Sequence, residues 1–201
     1  FSLIRSPAKT YRLHIALLIE SACVPTLRIG INQKHGTFYL HPKLDYSNGD
    51  QEGSFNPDYS HADVTFWFPG SYLHPGKNQI TLQPIEESGK AVPDANLTYD
   101  AIELDHSTQD WSGKDSSAQI SPTVFYPQGA RSLRENVDVF IRYQKPVESG
   151  SAVELSLAGQ HYHGTLQGNQ DFGEEKLEFP VAEFPAGTHA QLTWNINGHR
   201  N

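Results

Sequence analysis

The stretch TYRLHIALLI, residues 10–19, decides the fold class, because apolar and polar side chains alternate along it. Arg12 and His14 are separated by apolar residues, and the alternate apolar positions are Tyr11, Leu13, Ile15 and Leu17. Successive side chains of a β-strand point to opposite faces of the sheet. The period of two therefore predicts a strand with one buried face and one exposed face.

Short alternating segments of this kind recur along the chain, between turns rich in glycine and proline. In the first half they cover residues 26–31, 36–41, 63–68, 77–83 and 97–104. In the second half they cover residues 123–126, 136–143, 152–157, 161–166, 176–181 and 189–196. No segment sustains the spacing of an amphipathic helix. The sequence therefore predicts an all-β protein built from sandwiches or jelly rolls.

A polar segment, STQDWSGKDSS at residues 107–117, separates the two series of predicted strands. The chain has 201 residues, which is long enough for two domains of about 100 residues each. We expect one β-sandwich over residues 1–108 and a second, of immunoglobulin-like size, over residues 117–201. Trp111 in the linker is expected to dock onto one domain, because a free linker would leave this large aromatic side chain in water.

Composition excludes several classes of partner. Fifteen Lys and Arg residues against 23 Asp and Glu residues give a net charge of −8 with histidine neutral. No basic run is present, so nucleic acid is not an expected partner. The longest apolar run, residues 15–19, is far too short for a membrane span. The start at Phe1 and the absence of methionine indicate a piece of a larger protein.

The first half resembles a known carbohydrate-active family. The matching segments are TLRIGI (26–31), NQKHGTF (32–38), LHPGKNQITL (73–82) and YDAIELD (99–105). Their order is similar to the galactose-binding-like jelly roll that closes the rhamnogalacturonan lyases of polysaccharide lyase family 4. The resemblance covers about half of the chain and places Ile80, Leu82, Ile102 and Leu104 in the core. Because the catalytic residues of that family lie in another domain, the resemblance implies carbohydrate recognition without catalysis.

The second half resembles a different accessory module. SPTVFYPQGARSLRENVDVFIRY, residues 121–143, is similar to the immunoglobulin-like modules of large bacterial glycoside hydrolases. Together the two resemblances imply carbohydrate-binding or spacer modules of an extracellular or periplasmic polysaccharide-degrading enzyme. The implied partners are a plant or other polysaccharide and the other domains of the parent enzyme.

A predicted long loop, KLDYSNGDQEGSFNPDYSH at residues 43–61, is the first candidate binding site. Sugars are bound by flat aromatic faces together with polar side chains that meet the hydroxyl groups. We expect stacking from Tyr46, Tyr59 and Trp67, and hydroxyl contacts from Asp45, Asn48 and Asp50. Trp67 lies between Phe66 and Phe68 on a strand and should point away from the core. The alternatives are a solvated loop pinned by its aromatic residues, and a Trp67 that packs under a loop or against the second domain.

The same loop contains oxygen donors for a structural calcium ion. The candidate ligands are Asp45, Asp50, Glu52 and Asp58. An EF-hand counted from Asp45 fails, because Gly49 falls at position five and Asp50 at position six. The alternative is that these residues serve solubility. His161 and His163 could hold zinc, although the polar face of a hairpin explains this pair equally well.

Two other functions stay open. The chain could be a fragment of a polysaccharide lyase or glycoside hydrolase that contributes to its catalytic site, or an interaction scaffold without a sugar site. Candidate acids and bases are present but have no recognisable spacing: Asp45, Asp50, Asp58, Asp63, His61, Tyr72 and His74. If a sugar is bound, the acidic balance of the chain favours neutral glycans over polyuronates, because like charges repel.

Overall fold

A computed structural model describes residues 1–20, 26–40, 59–85, 97–112, 116–122, 135–157, 159–181, 190–196 and 199–200. This part of the chain is all-β, with one short 3-10 turn at Gly70–Tyr72. Across these ranges, no helix is long and apolar enough to cross a bilayer. The chain divides into two compact units, Phe1–Gly113 and Lys114–Asn201. The division falls within the predicted linker at residues 107–117.

Eight strands build the described part of the first unit. They are β1 (Ser2–Leu3), β2 (Thr10–Glu20), β3 (Thr26–Ile31), β4 (Lys34–Tyr39), β5 (Tyr59–Pro69), β6 (Gly76–Lys77), β7 (Ile80–Ile85) and β8 (Leu97–Ser107). β2 lies between β5 and β8 in one sheet, and β3 lies between β4 and β7 in another. β1 pairs with β6, and each of these pairings is antiparallel.

The core of the first unit lies between these two sheets. Leu13 of β2 is opposite Phe66 of β5 in the register and is fully buried. The centre of the Phe66 ring lies 5.0 Å from that of Phe38 on β4, with the two rings tilted by 33°, so aromatic side chains of the two sheets contact each other. Ile15 and Ile29 are also fully buried. The alternation in TYRLHIALLI is therefore the alternation of a strand with a buried face, as predicted.

The hairpin between β3 and β4 is tighter than predicted. The second strand was expected to begin at residue 36, but the turn is at Asn32 and Gln33, and β4 begins at Lys34. Asn32 has a φ of 53°, a left-handed conformation that asparagine tolerates better than most residues. The Asn32 side chain donates to Oδ1 of Asn78 at 2.9 Å and accepts from the Gln79 N–H at 3.0 Å. The hairpin is thereby tied to the segment that enters β7.

Strand β8 differs from the prediction in burial. Ile102 was expected in the core, but it is 43% exposed, and Tyr99 is 63% exposed. Ile102 is opposite Ile15 in the register and so lies on the core side of the sheet. Among the described strands β8 pairs with β2 alone, so β8 is an edge strand of this sheet. No described strand covers the edge of β8 that faces away from β2. Leu104, Ile80 and Leu82 are half-buried for the same edge position.

The second unit contains seven described strands. They are β9 (Ser116–Pro122), β10 (Glu135–Tyr143), β11 (Ala152–Leu157), β12 (Gln160–Thr165), β13 (Phe172–Val181), β14 (Ala190–Ile196) and β15 (His199–Arg200). β10 lies between β9 and β13, and β11 lies between β12 and β14, in antiparallel pairings. β9 was not among the predicted strands and overlaps the end of the predicted linker at residues 116 and 117. The predicted strand at 123–126 lies outside the described residues.

Apolar residues of β10, β11 and β13 form the core of the second unit. Its buried members include Val139, Ile141, Val153, Leu155 and Phe179. The Phe179 ring presses against the backbone of β12 at Gly164, where an added Cβ would lie 3.0 Å from the ring. Glycine permits this close approach, so the two sheets of this unit also pack face to face.

A buried carboxylate, Glu175, organises the loop before β13. The Tyr143 hydroxyl donates to Oε1 of Glu175 at 2.7 Å. The backbone N–H groups of Gln167 and Gly168 donate to the same carboxylate, at 2.5 and 2.9 Å. A buried charge is tolerated when such donors satisfy it. Glu175 therefore fastens the loop to β10.

We expect Glu175→Gln to lower the free energy of unfolding by about 1–3 kcal/mol, because the new amide NH₂ would face donors instead of accepting from them. Urea unfolding followed by circular dichroism measures this change. Glu178→Gln on the same strand is the control, because the Glu178 side chain is 55% exposed, and its partner, the mostly buried Lys176, keeps a second ion pair with Asp138. Equal losses in the two variants would contradict the role given to Glu175.

Candidate functional site

The face of the β5-β2-β8 sheet that points away from the core collects the polar residues of three strands. We call it the outer face and define it by Arg12, His14, Asp63, Trp67, Glu103 and Asp105. The register places Arg12 between Trp67 and Asp105. It also places His14 directly opposite Glu103. Alternate residues of a strand point to the same side of the sheet, and so do residues directly opposite each other on neighbouring strands. These six side chains therefore share one face.

Trp67 is the exposed aromatic residue of this face. Phe66 and Phe68 on either side of it are buried, whereas Trp67 is 37% exposed. The predicted outward direction of Trp67 is confirmed by this alternation. The guanidinium carbon of Arg12 lies 6.0 Å from the centre of the Trp67 ring, within the range of a cation–π contact.

Arg12 is held from its other side by Asp105. Its Nε donates to Oδ2 of Asp105 at 3.1 Å, and its terminal nitrogen donates to the same oxygen. The guanidinium is thus fixed between a carboxylate and the indole ring. Such a contact restricts the rotation of Trp67 before any ligand arrives, which lowers the entropic cost of binding.

His14 lies between carboxylates of the two flanking strands. Its Nε2 is 3.3 Å from Oδ1 of Asp63, and its Nδ1 is 3.3 Å from Oε2 of Glu103. A neutral imidazole has one donor nitrogen, whereas the protonated ring donates from both. The protonated form therefore satisfies both carboxylates at once.

The outer face combines the two groups that carbohydrate recognition needs. The indole of Trp67 offers a flat apolar surface, and the carboxylates and imidazole offer hydrogen bonds to hydroxyl groups. Asp63 and Trp67 are four residues apart on β5, which corresponds to about 13 Å along a strand. The arrangement is long enough to contact several units of an extended oligosaccharide.

The predicted loop residues fall mostly outside the described residues. This holds for the stacking and hydroxyl candidates Asp45, Tyr46, Asn48 and Asp50, and for the calcium candidates Glu52 and Asp58. Tyr59 was expected in the loop, but its backbone begins β5. It lies eight residues from Trp67, or about 26 Å along the strand.

Four residues of the outer face were not among the predicted site residues. Arg12 and His14 are visible in the sequence as the polar positions of TYRLHIALLI. Glu103 and Asp105 join them only through the pairing of β8 with β2, about 90 residues away in sequence. The alternation of YDAIELD shows which residues of β8 share a face, but nothing local to it shows which strand they adjoin.

Tyr72 and His74, the candidate bases, have structural contacts. The Tyr72 ring stacks on Phe68 with centres 6.0 Å apart, and the Lys34 ammonium lies 5.7 Å from the Tyr72 ring centre. The Nδ1 atom of His74 is 3.0 Å from the carbonyl oxygen of Pro75. These contacts account for both side chains without a catalytic role.

His161 and His163 project beside Glu154 of the neighbouring strand. Nδ1 of His161 is 2.7 Å from Oε1 of Glu154, and Nδ1 of His163 is 3.9 Å from Oε2. Within the described ranges, no group of three or more His, Cys, Asp and Glu side chains is arranged to hold a metal ion. Both histidines therefore lie beside Glu154 on the exposed face of the hairpin.

Comparisons of the chain with protein-family models, with curated proteins and with solved structures found no match. A fold class alone does not determine function, since one architecture carries many unrelated sites. The outer face of the first unit is therefore the feature on which a function can be proposed.

We expect Trp67→Ala to leave the fold intact and to cost at most about 1 kcal/mol, the value of an exposed cation–π contact. The adjacent change Phe68→Ala should lower the free energy of unfolding by about 3–5 kcal/mol, because Phe68 is fully buried. Thermal and urea unfolding of the two variants measure the difference. A loss from Trp67→Ala as large as that from Phe68→Ala would show that Trp67 belongs to the core.

Proposed function

We propose that the first unit is a carbohydrate-binding module and that its outer face contacts the glycan. The observation that carries this proposal is the position of Trp67, exposed between two buried phenylalanines and held by Arg12. A single exposed apolar residue is common on protein surfaces, but an indole beside hydrogen-bonding side chains offers a flat surface on which a sugar ring can stack. Polar groups along β2, β5 and β8 supply hydrogen bonds beside it.

The finer fold assignment is part of the same proposal. We assign the first unit to the galactose-binding-like jelly rolls and the second to the immunoglobulin-like sandwiches, as the sequence resemblances imply. Face-to-face packing of two antiparallel sheets in each unit supports the assignment. The chain then belongs to a secreted or periplasmic polysaccharide-degrading enzyme, whose other domains perform the chemistry. The loop residues Asp45, Tyr46, Asn48 and Asp50 remain candidates for additional sugar contacts.

Catalysis by the outer face is the second candidate, because Asp63 and Glu103 form a pair of carboxylates on one surface. Glycoside hydrolysis uses two carboxyl groups on either side of the scissile bond, with room for the sugar or a water molecule between them. Here the imidazole of His14 lies between the two groups and contacts both. The geometry therefore favours binding over cleavage.

Binding is tested by isothermal titration of a panel of neutral and charged oligosaccharides. We expect Trp67→Ala to weaken binding about tenfold to a hundredfold, the loss of about 1–3 kcal/mol typical of a desolvated aromatic anchor. Tyr99→Ala is the matched control, because Tyr99 is an exposed aromatic residue of the same sheet that lies on the opposite face. If wild type binds no glycan at millimolar concentration, or if both variants lose affinity equally, the proposal fails.

Cleavage is tested on the same panel by assays for new reducing ends and for the absorbance of unsaturated uronates. We expect no turnover from the chain alone, since His14 occupies the space between Asp63 and Glu103. Reproducible turnover that disappears in both Asp63→Asn and Glu103→Gln would favour the enzyme alternative.

A further inference from the structure

The outer face carries more negative than positive charge. Asp63, Glu103 and Asp105 contribute three carboxylates, and their side chains are between 53% and 57% exposed. Arg12 contributes the permanent positive charge of this face. A ligand that lies on Trp67 therefore approaches carboxylates that solvent, and hence the ligand, can reach.

The guanidinium of Arg12 already has two partners, Asp105 and the Trp67 ring. It donates through two nitrogens to one oxygen of Asp105 and lies over the Trp67 ring. A uronic acid that sought a bidentate contact with Arg12 would have to displace Asp105, and it would then leave that carboxylate unpaired. Among the six residues that define the outer face, no cation is then free for an acidic sugar.

The remaining carboxylates share one imidazole. Asp63 and Glu103 carry two negative charges, and His14 between them carries at most one positive charge. Their sum is 1 − 2 = −1 even when His14 is protonated. In either protonation state of His14, an ammonium group beside these carboxylates is attracted to them, whereas a ligand carboxylate is repelled.

The spacing along β5 allows one ligand to contact both Trp67 and Asp63. Asp63 lies four residues from Trp67 on the same face of β5, or about 13 Å along the strand. An oligosaccharide that stacks one ring on Trp67 and follows β5 reaches Asp63 within a few sugar units. Glu103 and His14 lie beside it on the two neighbouring strands.

From this geometry we infer that the outer face selects glycans with free amino groups, as in oligomers of hexosamine, over their N-acetylated and uronic acid counterparts. Asp63 and Glu103 are the specificity-determining residues, and Trp67 supplies affinity common to all the glycans. The inference rests on the proposed function, because it concerns the ligand of the same face.

The experiment titrates the full chain with four hexasaccharides, of glucosamine, N-acetylglucosamine, glucose and galacturonic acid. The buffer is mildly acidic, so that amines are protonated while carboxylates are ionised. We expect the glucosamine hexamer to bind about two- to fivefold more tightly than the N-acetylated one for each reachable carboxylate, the range of exposed ion pairs. The galacturonic acid hexamer should bind most weakly, and added salt should reduce both differences.

Variants separate a local effect from the overall charge of the chain. Asp63→Asn and Glu103→Gln should each weaken binding of the glucosamine hexamer by a larger factor than binding of the glucose hexamer, because the new amide still hydrogen-bonds to hydroxyl groups but carries no charge. Asp110→Asn is the control, because it removes the same charge from the same unit, at an exposed residue that pairs with Lys9. It should preserve the preference.

The outcomes separate this inference from the proposed function. If the glucose hexamer binds as tightly as the glucosamine hexamer, or if Asp110→Asn reduces the preference as much as Asp63→Asn, the inference is wrong and the carbohydrate site stands. If none of the four hexamers binds, the proposed function fails with it.

Discussion

The antiparallel pairing of β2 with β5 and β8 is the constraint on which the first unit depends. It aligns Leu13 with Phe66 on one side of the sheet and Arg12 with Trp67 on the other. The buried side fixes the register, since a shift of one residue would move the buried Tyr11, Leu13, Ile15 and Leu17 into solvent. The core therefore determines which polar residues meet on the outer face. The proposed binding surface is thus held by strands rather than by loops, so its geometry does not depend on a ligand.

Polar contacts hold the turns and loops that lie outside the two sheets of each unit. In the first unit, Asn32 and Asn78 join the β3–β4 hairpin to the approach to β7. In the second, Glu175 gathers backbone N–H groups of the loop that precedes β13. Both devices satisfy buried polar groups that the sheets cannot pair. These contacts explain why polar residues such as Asn78 and Glu175 are buried.

Much of this fold could be predicted from the sequence, because alternation is a local property. The strands around residues 10–19, 136–143 and 152–157 follow from their period of two, and the outward direction of Trp67 follows from its neighbours. Non-local properties could not be predicted. The exposure of Ile102 depends on which strand lies at the edge of the sheet, and the meeting of Glu103 with His14 depends on the register between distant segments. The first half of β13 was missed because its residues 172–175 are all buried, with a φ of 117° at Gly173, so that alternation fails there.

The central claim is that Trp67 contacts a glycan on the outer face, and the most direct measurement is the indole N–H resonance of each tryptophan during a glycan titration. The chain has three tryptophans, Trp67, Trp111 and Trp194. Trp194 packs against the core of the second unit and donates to Ser116. The account predicts a saturable shift of the Trp67 resonance while that of Trp194 stays in place. A saturable shift of Trp194 or Trp111 with an unchanged Trp67 would contradict it.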